Sequence, residues 1–149
     1  MNDLERTIEN RGIDAEIIEV SSKTNTVSQA ANALNTDENN IIKSLVVEID
    51  NDDVLVVIRG DKRVSFDKLE DVFSAESASM ASPEKVEELT GYSVGEVPPV
   101  GTGLKKVVDE ELLERKVVYG GGGGRKKMLE LDPRYMVDED TVVEDVTEE

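Results

Sequence analysis

The chain has 149 residues, 38% of them hydrophobic and 34% charged, a composition that fits one folded domain and excludes a disordered chain. It contains no cysteine and no histidine, which rules out disulfides, thiolate nucleophiles, imidazole bases and the common zinc ligand sets. The 34 acidic and 17 basic side chains give a formal charge of −17, a field that repels phosphate-rich partners unless high salt screens it or a local basic patch offsets it.

The opening stretch, MNDLERTIENRG, lacks the basic-then-apolar order of a secretory signal. The longest apolar run, Val54 to Ile58, is far too short to cross a bilayer, so a cytoplasmic protein without a membrane partner is expected. Asn2 or Asp3 caps a first helix with Leu4 and Ile8 on one face and Gly12 as its stop. Residues 14–20 alternate as a strand. TVSQAANAL then opens with Thr26 and, three positions on, Gln29, the pattern of a capping box before an Ala-rich helix.

In NNIIKSLVVEID, period two puts Ile41, Lys43, Leu45, Val47 and Ile49 on one face, apolar except for a single ammonium. Two readings of Lys43 stand open. Its stem lies along the apolar row while the head snorkels to water, or it lines a pocket and meets a carbonyl or phosphate oxygen. The turn DNDD and the run VLVVIRG complete an antiparallel hairpin with this strand.

SFDKLEDVF predicts a helix with Phe66, Leu69, Val72 and Phe73 inward. SPEKVEELTG predicts another, with Ser82 as cap, Pro83 in its first turn and Gly91 after its end. GEVPPVG, residues 95–101, is either a plain turn or a stiff loop that presents backbone groups in fixed directions. Residues 106–108 read as a short strand, and Asp109 caps EELLER. The rest reads as strand 116–119, a glycine run, strand 128–131, a turn at Asp132-Pro133 and strand 141–144, the last within an acidic C-terminal segment, 138–149. Short strands mixed with single short helices, without strict alternation, predict an α+β fold in one compact domain, residues 1–149.

YGGGGGRKKM invites a phosphate-loop reading, but Lys127 stands where Ser or Thr is required and a strand follows instead of a helix. The run is then either a mobile hairpin turn or a place where backbone approaches something closely, since glycine removes the Cβ obstacle. No spacing among the acidic residues suggests a metal site, and Tyr92, Tyr119 and Tyr135 are too scattered for a base-stacking platform.

Together these stretches resemble the YbaK/aminoacyl-tRNA-synthetase-associated domain family over roughly residues 20–137. The marks are TVSQAANAL, IIKSLVV, VLVVIRGDKRV, SPEKVEELTGYSVGEVPPVG and VVDEELLERKVVYGGGGG. The most specific is Gly-x-x-x-Pro-x-Gly, matched by Gly95, Pro99 and Gly101; the strand-start lysine, matched by Lys43, is second.

This resemblance implies a mixed, partly barrel-like sheet with short flanking helices. It also implies hydrolysis, in trans, of amino acids wrongly attached to tRNA, often tRNA for proline. Lys43 is then the catalytic residue, close to the terminal adenosine and the ester. Thr26, Gly95, Pro99, Gly101, Gly120, Gly121 and Gly122 are substrate contacts, and Arg59, Lys62, Arg63 and Arg125 are phosphate contacts. An aminoacyl ester is already activated, so a water held at its carbonyl, backbone N–H groups facing the oxyanion and the neighbouring ribose hydroxyl suffice, with no metal or cofactor. Aminoacyl-tRNA is the implied partner and an aminoacyl-tRNA synthetase a second candidate. The alternative is a module of the same fold that binds a nucleotide or tRNA, or associates with a synthetase, without hydrolysis. Relatives often carry Ser-Ala-Gly-type residues where this chain has Tyr119 and pure glycine, so pocket size there does not transfer. The amino acid removed, the tRNA and the oligomeric state are open at this level.

Overall fold

The computed structural model describes residues 3–20 and 26–149, so Asn2, one of the two expected caps, lies outside the described residues. Helix α1 (Asp3–Arg11) stops at Gly12, whose φ of +62° is the left-handed conformation that glycine adopts without penalty. Strand β1 (Ala15–Glu19) follows. Helix α2 (Val27–Leu34) begins at Thr26, whose hydroxyl accepts the Gln29 N–H at 3.1 Å, as the capping pattern predicts. Strands β2 (Ile42–Ile49) and β3 (Asp52–Arg59) form the expected antiparallel hairpin, with Lys43 opposite Ile58.

Helix α3 (Phe66–Phe73) is capped by Ser65, and its Leu69 is fully buried with Phe66, Val72 and Phe73 packed around it. A three-residue strand, β4 (Ala78–Met80), then pairs with β2; nothing in its sequence announced it, because three residues with two of them exposed carry no alternation. Helix α4 (Pro83–Thr90) has the expected Ser82 cap and Gly91 stop. Strand β5 (Lys105–Asp109) leads into a 3₁₀ turn, Glu110–Glu114, in place of the short α-helix suggested by EELLER. Strand β6 (Val118–Gly121) starts later than expected and takes in two glycines; β7 (Lys127–Leu131) and β8 (Val142–Glu144) follow.

These strands make two sheets. One is mixed, in the order β4-β2-β3-β5-β8, with β3–β5 and β5–β8 parallel; the other is antiparallel, β1-β7-β6. They meet at an isolated bridge between Ile41 and Tyr119 and do not close into a barrel. The domain is therefore α+β, with the expected mixed sheet and the shorter antiparallel sheet against one of its faces. Strands β2 and β3 are buried on both sides, which is why VLVVI reads as an unbroken apolar run. Leu55 and Val57 pack towards Val118, Leu129 and Leu131 of the smaller sheet, while Val54, Val56 and Ile58 pack towards Leu69 of α3. Each such side chain taken from water contributes ~1.5–3 kcal/mol before chain entropy is counted.

The acidic C-terminal segment is docked. The Asp109 carboxylate, itself 2% exposed, accepts the Val146 N–H at 3.0 Å and the Glu111 N–H at 3.1 Å. Ser65 N–H donates to the Val146 carbonyl and Glu148 N–H to the Arg63 carbonyl, so the segment backs the turn after β3. Among the described residues, no helix is long and apolar enough to cross a membrane.

Candidate functional site

The loop Tyr92–Leu104 leaves α4 and enters β5, and three of its glycines, Gly95, Gly101 and Gly103, have φ between +77° and +89°. Val97, Pro98, Pro99 and Val100 are all buried. The middle of the loop is thus packed into the domain, while Val94 and Gly95 before it and Gly101 and Gly103 after it are exposed. Its seat is the β6–β7 hairpin. A Cβ on Gly121 would fall 2.3 Å from the Val97 carbonyl oxygen and 2.8 Å from the Glu96 carbonyl carbon, distances no real side chain tolerates. The Gly123 N–H donates to the Glu96 carbonyl at 3.0 Å. The closest backbone approach that the glycine run permits is therefore made by the chain's own proline loop. At Gly122, a Cβ would meet the Lys127 and Met128 backbone, inside the hairpin itself.

Gly120 faces a different neighbour. A Cβ there would lie 2.9 Å from Ile42 Cγ1 and 3.6 Å from Pro99 Cδ, so Gly120, Ile42 and Pro99 form one contact. Gly101 sits beneath α1, 2.9 Å from Thr7 Oγ1 by the same measure. Gly95 has open space around it.

Lys43 follows Ile42 on β2 and points to the opposite face. Its cross-strand partner Ile58 belongs to the apolar cluster under α3, while Ile41, two residues earlier on the same face, belongs to the cluster under α2. The ammonium falls between those two covered patches. Burial lowers its pKa from the ordinary 10.5; Asp61 pulls it upward and Arg63 pushes it down. Among the described residues it makes no hydrogen bond or ion pair. The start of β2 is the common meeting point: Ile41 bridges Tyr119, the Gly60 N–H donates to the Ile41 carbonyl at 2.8 Å, and Val27, beside the Thr26 cap, packs against Gly60.

The basic residues divide. Arg59 donates to Glu111 Oε1 at 2.6 Å and to Asp61 Oδ2 at 2.9 Å, and Lys62 lies 3.2 Å from Glu111 Oε2. Arg115 joins at 3.3 Å from the same carboxylate. Burial works to raise the Glu111 carboxyl, but hydrogen bonds from Lys62 and Arg59 outweigh it and hold the group below the usual carboxylate range. Arg59 and Lys62 are thus engaged within the protein, whereas Arg63 and Arg125 are exposed.

Two residues here escaped the sequence reading. Lys106 Nζ donates to the Pro99 carbonyl at 2.9 Å, a contact that nothing in its local sequence announces. Ser44 is on the Ile42 face of β2, and its hydroxyl is buried without a hydrogen-bond partner among the described residues. No group of three or more Asp and Glu side chains among the described residues is arranged to hold a metal ion.

Residues 21–138 match the family model of the aminoacyl-tRNA editing domain. A proline–tRNA ligase from Caldicellulosiruptor saccharolyticus is 33% identical over 87 residues, 58% of this chain and 15% of the ligase. One from Caldicellulosiruptor bescii is 30% identical over 110 residues, 73% of this chain and 19% of the ligase. The chain therefore spans less than a fifth of the length of these curated relatives. Two solved structures match over nearly their whole length. The hypothetical protein APE2540 superposes with a TM-score of 0.91 at 38% identity, covering 99% of this chain and 100% of that one. A proposed trans-editing enzyme for prolyl tRNA synthetase superposes with a TM-score of 0.89 at 30% identity, covering 99% and 96%.

Proposed function

Because the chain belongs to the aminoacyl-tRNA editing domain family, we propose that it is a deacylase that hydrolyses the ester of mischarged tRNA, of the tRNA-Pro type. The observation that carries this reading is Lys43: a cation lowered in pKa by burial, lacking a protein partner among the described residues, at the strand end where the proline loop, Gly120 and α2 gather. An unpaired ammonium in an apolar row is unfavourable for folding alone, so its natural partner is an oxygen of the ligand.

The substrate straddles the start of β2. Its amino acid lies on the Ile42 side, against Gly120 and Pro99, and its ribose-phosphate end lies on the Lys43 side, towards Arg63. Thr26, capping the neighbouring helix, borders that second side. Water adds to the ester carbonyl carbon, the bond to the ribose oxygen breaks, and the proton lost by water ends on that ribose oxygen. Free amino acid and intact tRNA are released. With no histidine or cysteine in the chain, water is the nucleophile, and Lys43 contributes position and charge. Arg63 and Arg125, exposed on an acidic body, are the phosphate contacts. Lys62 and Arg59 reach phosphate only by leaving Glu111. This reading places the protein in the cytoplasm, with aminoacyl-tRNA as its partner.

The test is a panel of tRNAs charged with alanine, cysteine, serine or threonine, incubated with the full chain at graded salt. Release of at least one amino acid is expected, together with a loss of about a hundredfold in Lys43→Ala at unchanged melting temperature. Intact esters throughout the panel overturn the reading. A melting temperature raised by charged tRNA without turnover would identify a binding module instead.

A further inference from the structure

Lys106 stands on β5 opposite Leu55, on the sheet face that carries Val57 and Val108 inside the larger apolar cluster. Its ammonium donates to one neutral acceptor, the Pro99 carbonyl, at 2.9 Å, and among the described residues no carboxylate pairs with it. Burial pushes its pKa down to about 8, with Asp138 pulling upward and Arg11 pushing further down. A methionine or leucine would fill such a position without desolvating a charge. The lysine's distinguishing contribution is the bond to the loop.

That bond holds a piece of backbone with few other ties. Proline has no N–H, so the adjacent prolines 98 and 99 cannot join a strand ladder through their own nitrogens. The loop's backbone bonds are at its entry, Glu96 N–H to Ser93 carbonyl and Gly123 N–H to Glu96 carbonyl. Beyond Val97, the described residues give the loop core packing at Val100 and one side-chain hydrogen bond, from Lys106 to the Pro99 carbonyl, and the Pro99 ring borders both Gly120 and Ile42.

We infer that Lys106 is a positioning residue: by holding the Pro99 carbonyl it fixes where the Pro99 ring sits against Gly120 and Ile42, and hence the size of amino acid accepted beside them. The size clause rests on the editing reading above; the loop-holding clause does not. Lys106 acts through the loop and does not touch the substrate.

The experiment compares the full chain with Lys106→Met, which keeps the stem and removes the donor, and Lys106→Arg, which keeps a cationic donor. Amide hydrogen exchange at Val97, Val100 and Gly101 is read relative to the amides of β3, so that a global loss of stability cancels. Hydrolysis of alanyl and valyl esters on one tRNA is read as a ratio of kcat/KM. In Lys106→Met the loop amides exchange about tenfold faster relative to β3, and the preference for the smaller ester falls by about tenfold, the worth of one hydrogen bond to a charged group. Lys106→Arg retains most of both. Unchanged relative exchange in Lys106→Met overturns the inference. Faster loop exchange with an unchanged ester ratio in an active enzyme overturns its size clause. If the unsubstituted protein hydrolyses neither these esters nor the wider panel, the editing reading has failed separately, and the exchange comparison still decides whether Lys106 holds the loop.

Discussion

On one face of β2, Ile42 is closed in by Gly120 and Pro99, and the loop behind them is tied down by Gly123 and Lys106. On the other face, one residue later, the Lys43 ammonium stands between two apolar clusters without a partner among the described residues. The first region looks like a protein interior: close packing, glycines where backbones touch, carbonyls accepting hydrogen bonds. The second leaves a partly buried charge without a protein acceptor among the described residues, whereas the one unpaired group on the first face is the neutral Ser44 hydroxyl. The first arrangement is complete within the chain and can only border a ligand, whereas the second leaves a charge for a ligand to meet. Substitutions in the two regions should therefore move stability in opposite directions.

The closed side gives the largest effect. Gly121→Ala places a methyl 2.3 Å from the Val97 carbonyl oxygen, against backbone that cannot swing aside as a side-chain end can. A loss of about 3 kcal/mol is expected, read as a lower urea midpoint at unchanged m. Three residues along the same run, Gly124→Ala meets nothing nearer than the flexible Lys127 side chain at 3.4 Å, and it should change stability by under about 0.5 kcal/mol. If the two variants are equally stable, the glycine run does not serve as the seat of the loop, and the contrast between the faces loses its clearest support.

That pair of glycines also marks where the sequence stops being readable. Helix ends are local chemistry, and Thr26, Ser82, Gly12 and Gly91 all announce themselves. The hairpin is local too, and so is the overall α+β character. Long-range partners are not. Gly121 meets Val97 from a loop on the far side of β5, and no spacing rule relates the two. Arg59 reads as a free cation until folding brings Glu111, 52 residues on, to 2.6 Å. Lys106 resembles its neighbour Lys105 in sequence, and only β5's placement between β3 and β8 turns one inward and the other out. Lys43 was legible as an anomaly because a single ammonium in a period-two row is visible without any partner being known.

Glu111 sharpens the comparison on the closed side. Arg59, Lys62 and Arg115 converge on its carboxylate, so Glu111→Gln leaves three cations crowded around a neutral amide. The groups are partly exposed, and solvent screening holds the expected loss to about 1 kcal/mol at pH 7. The pH dependence has a definite sign. The folded-state pKa lies below the ordinary 4.5, so the unfolded chain takes up the proton first; the contribution is complete above 4.5 and disappears as pH falls through the folded value. Denaturation curves of the two proteins should thus be separated at pH 7 and converge in acid. A constant separation down to pH 3 would show that packing, not charge, holds this knot.

Lys43→Met changes stability only slightly, and with the opposite sign. Burial lowers the lysine's pKa, so in the folded state the charged form is disfavoured relative to the unfolded chain. Replacing it by an apolar side chain of similar length removes that penalty, and stability at pH 7 should rise by under about 1 kcal/mol after allowance for its partial contact with water. The unsubstituted protein should close this gap as pH rises from the lowered folded value towards 10.5, because the unfolded chain holds the proton longer and each proton lost early favours the fold. The same variant should release amino acid from mischarged tRNA about a hundredfold more slowly. A more stable and less active protein is what a ligand-directed charge predicts; a destabilised one would mean that Lys43 has a structural partner after all, and the two faces of β2 would no longer differ in kind.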